Sequence, residues 1–447
     1  MNIQELYSAF KECNGVTTDS RAVKGGEMFF ALKGENFDGN EYALKALELG
    51  ARYAVVDEAW AASHPVLTPA PELVEGHLIP VPDTLAALQA LARHHRENTF
   101  VDGRRLTVVG LTGTNGKTTT KELITRVLSA KYRVTATQGN LNNDIGVPLS
   151  LLSIGPETEL AVIEMGASHP DDIEKLVKVC EPDCGLITNV GRGHLLGFGS
   201  FDGVKAAKGK LYDYLAVDGG FIFLNTDDPV LVEMAAARKG LKVIEYGVRH
   251  SGAIIVPTDK DHLFVRIEMA GKLLETHITG AYNADNIMAA IAVGLHFGVS
   301  MEDAMRAVSE YIPTNNRSQI EKTGRNTLIV DAYNANPTSM AAALDNLAMI
   351  QAPRKAALLG NMLELGSESF DEHSKILDKT LSMGLDRICL VGDEFGKVVR
   401  ARSTEAVKWF ATSDDLASWL KDNPLEGAIV LVKGSRGTRM ERTLPVL

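Results

Sequence analysis

Gly110-Leu111-Thr112-Gly113-Thr114-Asn115-Gly116-Lys117-Thr118-Thr119-Thr120 decides how the rest of the chain is read. An apolar run at residues 106–111 leads into it, and residues 117–130 leave it with helical period. The order is therefore strand, tight turn, helix. A helix N-terminus offers unpaired N–H groups and the positive end of a dipole to an anion. Gly113 and Gly116 permit the sharp turn and a close approach of backbone to phosphate. Lys117 is placed to reach the β- and γ-phosphates, and the Thr118 hydroxyl to ligate Mg²⁺. Thr114, Asn115 and Thr119 complete the run expected to hold ATP. The usual phosphate-loop pattern G-x-x-x-x-G-K-[ST] asks for Gly at position 111, where this chain has Leu111. A glycine-rich turn that binds nothing is the alternative, and the order of elements argues against it.

Outward from the loop, short apolar runs alternate with helix-period segments. Residues 160–165, 185–190 and 220–224 read as further strands of a mostly parallel sheet covered by helices. Tyr311-Ile312-Pro313 closes this section. Residues 327–330, 356–359, 388–391 and 429–432 repeat the rhythm, with a helix at 339–350, and predict a second doubly wound unit. Before the loop, runs at 28–32 and 53–56 predict a small α/β unit. The prolines between Val66 and Pro82 suggest a linker, and residues 83–96 a helix carrying Leu85, Leu88 and Leu91. The expectation is an α/β protein of three domains: 1–82, 83–313 and 314–447.

Bulk composition sets bounds. A chain of 447 residues with 45% hydrophobic residues can build several cores. Its apolar runs are strand-sized, far below the ~18 residues of a membrane span, so no membrane insertion is expected. The first residues lack a basic region followed by an apolar run, so no secretory signal is expected. Cys13, Cys180, Cys184 and Cys389 show no paired framework, which suits thiols in a reducing cytoplasm. The net charge of -11 argues against nucleic-acid binding, which needs clustered Lys and Arg.

Three further residues are candidates on position. Glu164 ends a predicted strand at the carboxyl edge, where open α/β sheets bind ligands, so it is either a Mg²⁺ ligand or a solvated strand end. His194 follows the next strand between Gly191, Gly193, Gly197 and Gly199, in a tight loop beside a ligand or simply on the surface. Lys208 sits in a helix-period segment and by itself reads as a solvated lysine.

Taken together, a series of motifs resembles the Mur ligase family, the ATP-dependent amide-bond ligases of peptidoglycan assembly. In order, they are TTDSRAVKGGEMFFALKG from Thr17, GTNGKTTTKE from Gly113, GNLNNDIGVPLSLL from Gly139 and IEMGASHPDDI from Ile163. ITNVGRGHLLGFGS from Ile187, AKGKLYDYL from Ala207, AYNADNIMAA from Ala281 and NNRSQI from Asn315 follow. DAYNANPTSM from Asp331, LGNMLELG from Leu359 and LVKGSRGTRME from Leu431 complete the set, which spans nearly the whole chain. GNLNNDIGVPL and DAYNANPTSM resemble the branch that adds D-alanyl-D-alanine to UDP-N-acetylmuramoyl-tripeptide. The Asp-Asn-Pro-Arg string of the branch that adds the third residue is absent.

The resemblance implies roles. Residues 1–82 would bind the UDP precursor, with Ser20 and Arg21 at the UDP; 83–313 would form a central ATPase-like unit; 314–447 would be a Rossmann-like ligase unit. Lys117, Glu164, His194, Lys208 and Arg317 would be catalytic. Mg²⁺ ions would be held by Thr118, Glu164, His194 and Lys208, the last as a carbamate that turns a cation into a carboxylate-like ligand. Asn283 and Asn286 would face adenine, Arg317 the γ-phosphate and Asp331 the ribose. Asn140, Asn142, Asn143, Asn334, Lys433, Ser435 and Arg436 would contact the substrates. A cytoplasmic monomer is implied. Departures from the family pattern are Gly193, Leu196, Lys210, Tyr282 and Asn40, which put neighbouring detail in question. The remaining alternatives are another ligase of the superfamily, such as a third-residue-adding ligase or folylpolyglutamate synthase, and a phosphate-loop nucleotide switch.

Overall fold

The computed structural model describes residues 2–64, 77–259, 261–314 and 317–447. Its centre is a six-stranded parallel sheet in the order Val134–Ala136, Leu160–Glu164, Thr107–Thr112, Cys184–Ile187, Phe221–Asn225, Lys242–Tyr246. Successive side chains of a strand point to opposite faces, and both faces here are covered. Val108, Ala161, Ile163 and Ile222 enter one core; Val109, Leu111, Val162, Leu186 and Phe223 enter the other. That is why these strands read as unbroken apolar runs. The chain leaves Thr107–Thr112 toward one edge of the sheet and later returns to its other side, so the carboxyl end of this strand is the topological switch point.

The second unit repeats the plan. Its sheet runs Gln319–Lys322, Thr327–Asp331, Ile429–Lys433, Lys355–Gly360, Arg387–Val391, Lys408–Phe410, parallel except for the first pair. Ile329, Leu359, Leu390 and Leu431 pack under the helix Pro337–Met349, while Leu328, Leu358, Val391 and Val432 pack against Leu416 and Leu420.

A smaller four-stranded parallel sheet precedes them, in the order Val16–Thr17, Met28–Phe30, Tyr53–Asp57, Leu78–Val81. Its last strand corrects the expectation of a linker up to Pro82. Residues 65–76 lie outside the described residues, but Leu78–Val81 pairs with Tyr53–Asp57. Pro80 is tolerated because this strand lies at the sheet edge, where a missing N–H costs no ladder bond. The helix Thr84–Glu97 starts from an Asp83 cap and buries Leu88, Leu91 and Ala92 in a core shared by the small sheet and the central unit. Arg96 at its end is fully buried and pairs with Asp183 at 2.7 Å.

The sequence reading held no antiparallel element, yet Ile254–Val256, Phe264–Met269 and Lys272–Thr279 form a three-stranded antiparallel sheet. Its buried Leu263, Val265, Ile267 and Met269 alternate with polar or half-exposed residues, the pattern of a one-sided sheet. Among the described residues, no helix is long and apolar enough to cross a membrane.

Candidate active site

The loop after Thr107–Thr112 is held by two close approaches that only glycine allows. Gly113 has φ +152°, and a Cβ there would lie 1.9 Å from Thr188 Oγ1. Gly116 has φ +79° at the start of helix Lys117–Leu128, with Asn286 Oδ1 2.7 Å from where its Cβ would be. Around them, Asn115 N donates to Asn189 Oδ1 (3.0 Å), and the Asn115 carbonyl accepts from Thr188 Oγ1 (2.6 Å) and Asn189 Nδ2 (3.0 Å). Thr114 Oγ1 accepts from Gly191 N at 2.9 Å. Lys117 folds back over the loop, donating to the carbonyls of Gly113 (2.9 Å) and Thr114 (3.3 Å). Burial lowers its pKa, against the pull of nearby Glu164.

Glu164 ends the neighbouring strand beside this loop. Its Oε1 accepts from Thr118 Oγ1 (3.3 Å) and Asn142 Nδ2 (2.8 Å), while its Oε2 is buried and has no hydrogen-bond partner among the described residues. A buried carboxylate oxygen left bare is costly unless something cationic meets it. Among the described residues no three His, Cys, Asp or Glu side chains converge as a complete metal cage. One carboxylate and one hydroxyl facing a phosphate loop nevertheless fit Mg²⁺, which keeps several waters and takes its remaining ligands from phosphates.

His194 stands at φ +54° before the short helix Leu195–Phe198, its Nδ1 against the Glu364 carboxylate. Burial lowers its pKa and Glu364 raises it. Lys208, in the helix Phe201–Asp218, is 1% exposed, its Nζ 5.8 Å from the Phe198 ring centre. Among the described residues no carboxylate forms an ion pair with Lys208, and burial, with nearby Lys117, lowers its pKa well below the usual lysine value. A surface lysine, the reading from its segment alone, is thereby corrected.

Both large units line one cleft of about 750 Å³. The central unit brings the residues from Thr114 to Thr119, Asn140, Asn142, Asn143, Glu164, His194, Asn283 and Asn286; the C-terminal unit brings Asp331, Asn334 and Lys433, with Arg317 just before its first strand. Lys208 packs behind the cleft and does not line it. Arg317 stacks 3.8 Å from the Tyr333 ring centre, with Arg436 5.6 Å from the same ring. Lys433 forms an ion pair with Asp331 and donates to the Asn334 carbonyl at 3.2 Å.

Some expected contacts are already committed inside the protein. Asn283 donates both amide hydrogens, to Thr279 O (2.8 Å) and Ser318 Oγ (3.0 Å), and accepts from Asn286 Nδ2 (2.8 Å). Asn286 Oδ1 accepts from Thr120 Oγ1 at 3.0 Å, tying helix Asn283–His296 to the phosphate-loop helix. Asn143 Oδ1 accepts from Gly146 N at 2.8 Å. Ser435 and Arg436 line an adjoining cavity of about 260 Å³, and Ser435 Oγ donates to Ala335 O at 3.0 Å. Ser20 and Arg21 stand apart from the cleft, with Arg21 paired to Asp19 at 2.8 Å on the surface of the small unit. Asn40 is buried there, accepting from Asp57 N at 2.9 Å. Of the other departures, Tyr282 lines the cleft, Lys210 pairs with Glu174 at 3.2 Å, and Leu196 is mostly exposed. Gly193 packs on Thr114, whose Cγ2 would be 2.9 Å from a Cβ.

The sequence reading missed Thr188, Asn189, Tyr333, Asn336 and Glu364. Asn336 was legible as a helix cap before Pro337, but its second contact was not: its Nδ2 donates to Asn115 Oδ1 at 2.7 Å.

A strand–loop–helix with a lysine and a hydroxyl facing a strand-end carboxylate, at the switch point of a parallel sheet, defines a phosphate-loop nucleotide site. Family models agree along the length: "Mur ligase family, catalytic domain" matches residues 12–96, "Mur ligase middle domain" 111–294 and "Mur ligase, glutamate ligase domain" 316–436. The UDP-N-acetylmuramoyl-tripeptide--D-alanyl-D-alanine ligase of Bacillus subtilis is 34% identical over 437 residues, covering 96% of this chain and 92% of that protein. Among solved structures, MurF from Acinetobacter baumannii superposes with a TM-score of 0.83 at 28% identity, covering 99% of this chain and 98% of that one. MurF from Thermotoga maritima in complex with ADP gives 0.80 at 25% identity, covering 97% and 96%. The chain belongs to the Mur ligase family.

Proposed function

We propose that this chain joins D-alanyl-D-alanine to UDP-N-acetylmuramoyl-tripeptide at the expense of ATP, releasing ADP and phosphate. The observation that carries the reading is the cleft itself. The phosphate loop and Glu164 of one unit face Arg317, Asp331 and Lys433 across a single cavity. A ligase needs that arrangement, because the activated carboxyl and the incoming amine have to meet beside the nucleotide. The relatives named above support the choice of substrates.

In this reading the carboxylate ending the tripeptide attacks the γ-phosphorus. The O–P bond to the carboxylate forms, the bond to the bridging oxygen breaks, and ADP leaves. The loop N–H groups hold the phosphates, while Lys117 exchanges its loop carbonyls for phosphate oxygens. Lys117 and Arg317 neutralise the developing charge, so no protein nucleophile is required. The dipeptide amine, after losing a proton, then forms the C–N bond, and phosphate departs with the bonding pair. Thr118 and Glu164 would hold one Mg²⁺, and His194 with carbamylated Lys208 a second. The metals would supply positive charge to the phosphate oxygens. Lys208 suits a carbamate because burial favours the neutral form of its amine, and only a neutral amine adds to CO₂. Asn283 and Asn286 would lie at the adenine, Asp331 at the ribose, and Ser20 and Arg21 at the UDP. Asn140, Asn142, Asn143, Asn334, Lys433, Ser435 and Arg436 would contact the peptide parts. UDP precursors and ATP place the reaction in the cytoplasm.

The test is phosphate release measured over a matrix of nucleotide precursors and amine acceptors, including tripeptides ending in diaminopimelate and in lysine. Release is expected only when a tripeptide precursor and D-alanyl-D-alanine are both present. Turnover with neither would point to a switch, and turnover with a single amino acid or a folate substrate to another ligase.

A further inference from the structure

Two side-chain amides 221 positions apart in sequence meet at the tip of the phosphate loop. Asn336 Nδ2 donates to Asn115 Oδ1 at 2.7 Å, and the return bond from Asn115 Nδ2 is longer, at 3.5 Å. Asn336 is not free to wander. Its Oδ1 accepts from Ser339 N (2.9 Å) and its own N–H donates to Ser339 Oγ (3.1 Å), a capping box that starts helix Pro337–Met349. Asn115 is equally fixed, since Thr188 and Asn189 take up its backbone groups. Its side chain is the part left over, and it goes to Asn336.

The cap and the bridge make different demands. A cap needs only a side-chain acceptor, which Ser, Thr or Asp supplies as well as Asn. The bridge needs a donor that extends to Asn115. A serine hydroxyl falls one bond short, and an ionised aspartate has no donor at all. We propose that Asn336 is a positioning residue for the nucleotide. It acts through Asn115, setting the loop tip for the phosphates and tying that setting to the docked C-terminal unit. The contacts around it hold the same junction. Arg192 N donates to Thr338 Oγ1 (3.1 Å), Arg192 pairs with Glu368 (2.8 Å), and Leu196 N donates to Glu364 O (3.1 Å). Gly193 lies between the two units, where a Cβ would be 2.9 Å from Thr114 Cγ2 and 3.4 Å from Asn336 Nδ2. The loop tip is therefore shared by both units. Whatever binds the loop favours docking of the C-terminal unit, and docking favours binding by the same factor.

The inference rests on reading the loop as the ATP site. The test titrates the full chain with a non-hydrolysable ATP analogue and Mg²⁺ in a calorimeter, alongside melting of the ligand-free protein. Asn336→Ser keeps an acceptor for the cap and loses the donor at that reach. It is expected to weaken binding about fivefold, the worth of one neutral hydrogen bond, with the ligand-free melting midpoint unchanged. Asn336→Asp also keeps the cap, but it turns the Asn115 amide over and sets a negative charge beside the phosphates, so it is expected to weaken binding more. On an Asn115→Ala background, Asn336→Ser is expected to add nothing. Unchanged binding in both single variants, a full fivefold effect on the Asn115→Ala background, or weaker binding matched by a lower melting midpoint would each overturn the proposal. Lys117→Ala separates the underlying reading: if it binds the analogue as tightly as the unaltered chain, the assignment of the ATP site has failed instead.

Discussion

Replacing Gly113 by Ala tests whether the loop conformation is what the backbone geometry says it is. The added Cβ would sit 1.9 Å from Thr188 Oγ1, 3.0 Å from Thr188 Cβ and 3.1 Å from Thr188 N. The hydroxyl has to rotate away, and it then loses its 2.6 Å bond to the Asn115 carbonyl. That bond is worth about 1 kcal/mol, and the remaining overlap about 1–2 kcal/mol. An alanine held at φ +152° adds about 1–2 kcal/mol of backbone strain, for a total of about 3–5 kcal/mol. Against a typical stability of ~5–15 kcal/mol this is a large fraction. Two relaxations are open. If the loop stays, the central unit melts roughly 6–20 °C lower, at ~2–4 °C per kcal/mol for a unit of its size. If the loop yields, melting is spared and nucleotide binding is lost. Differential scanning calorimetry and titration with an ATP analogue, run on the same preparation, distinguish the two. A second variant exposes the reasoning to failure. Thr188→Ala removes the 1.9 Å contact and leaves 3.0 Å as the shortest, but it also gives up the bond to the Asn115 carbonyl, so Gly113→Ala combined with Thr188→Ala should recover at most the overlap, about a third of the loss suffered by Gly113→Ala alone, and should lose clearly less than the two single variants summed. Gly113→Ala behaving like the unaltered chain in both assays would refute the geometry. A double variant whose loss equals the sum of the two singles would refute the assignment of the strain to Thr188.

Two more outcomes follow from the metal corner. Glu164→Gln keeps an acceptor for Thr118 and Asn142 but removes the charge on the unpartnered Oε2, so the fold should melt normally while the Mg²⁺ concentration needed for nucleotide binding rises about tenfold, the cost of losing one charged ligand. An unchanged Mg²⁺ titration would remove Glu164 from the metal site. Lys208→Ala should lose turnover and regain part of it when short carboxylates are added, as judged by phosphate release. Activity that persists in Lys208→Ala and is indifferent to bicarbonate depletion would remove the carbamate.

How far the sequence could be read depended on what buried each residue. The sheets were legible because both of their faces are covered, which leaves unbroken runs such as Leu160–Glu164 and Ile429–Lys433. Leu78–Val81 was misread because its proline resembles a linker, and only the sheet order reveals that it lies at an edge that tolerates one. The antiparallel sheet did carry a period-two signal from Leu263 to Met269, but it was hidden among strands of the parallel kind. The site divides in the same way. The loop is local, so its strand, glycines, lysine and helix announce themselves within a dozen positions. Lys208 could not announce itself, because what makes it unusual is burial with no carboxylate paired to it among the described residues, a property of the packed helix rather than of its neighbours in sequence.

Asn336 shows the deeper reason that part of the site stayed hidden. Its sequence context, an Asn before Pro337, is fully explained by helix capping, so nothing local remains to suggest a second task. The bridge to Asn115 exists only because the C-terminal unit docks on the loop, and docking is set by the whole junction from Arg192 to Glu368. A residue that satisfies one rule locally and another across an interface is invisible to any reading that stops at the first sufficient explanation. The same logic identifies the substitutions that separate the two tasks. Ser and Asp satisfy the local rule and fail the distant one, and that is why they, rather than Ala, can report on coupling between the nucleotide and the docked unit without unwinding the helix that carries it.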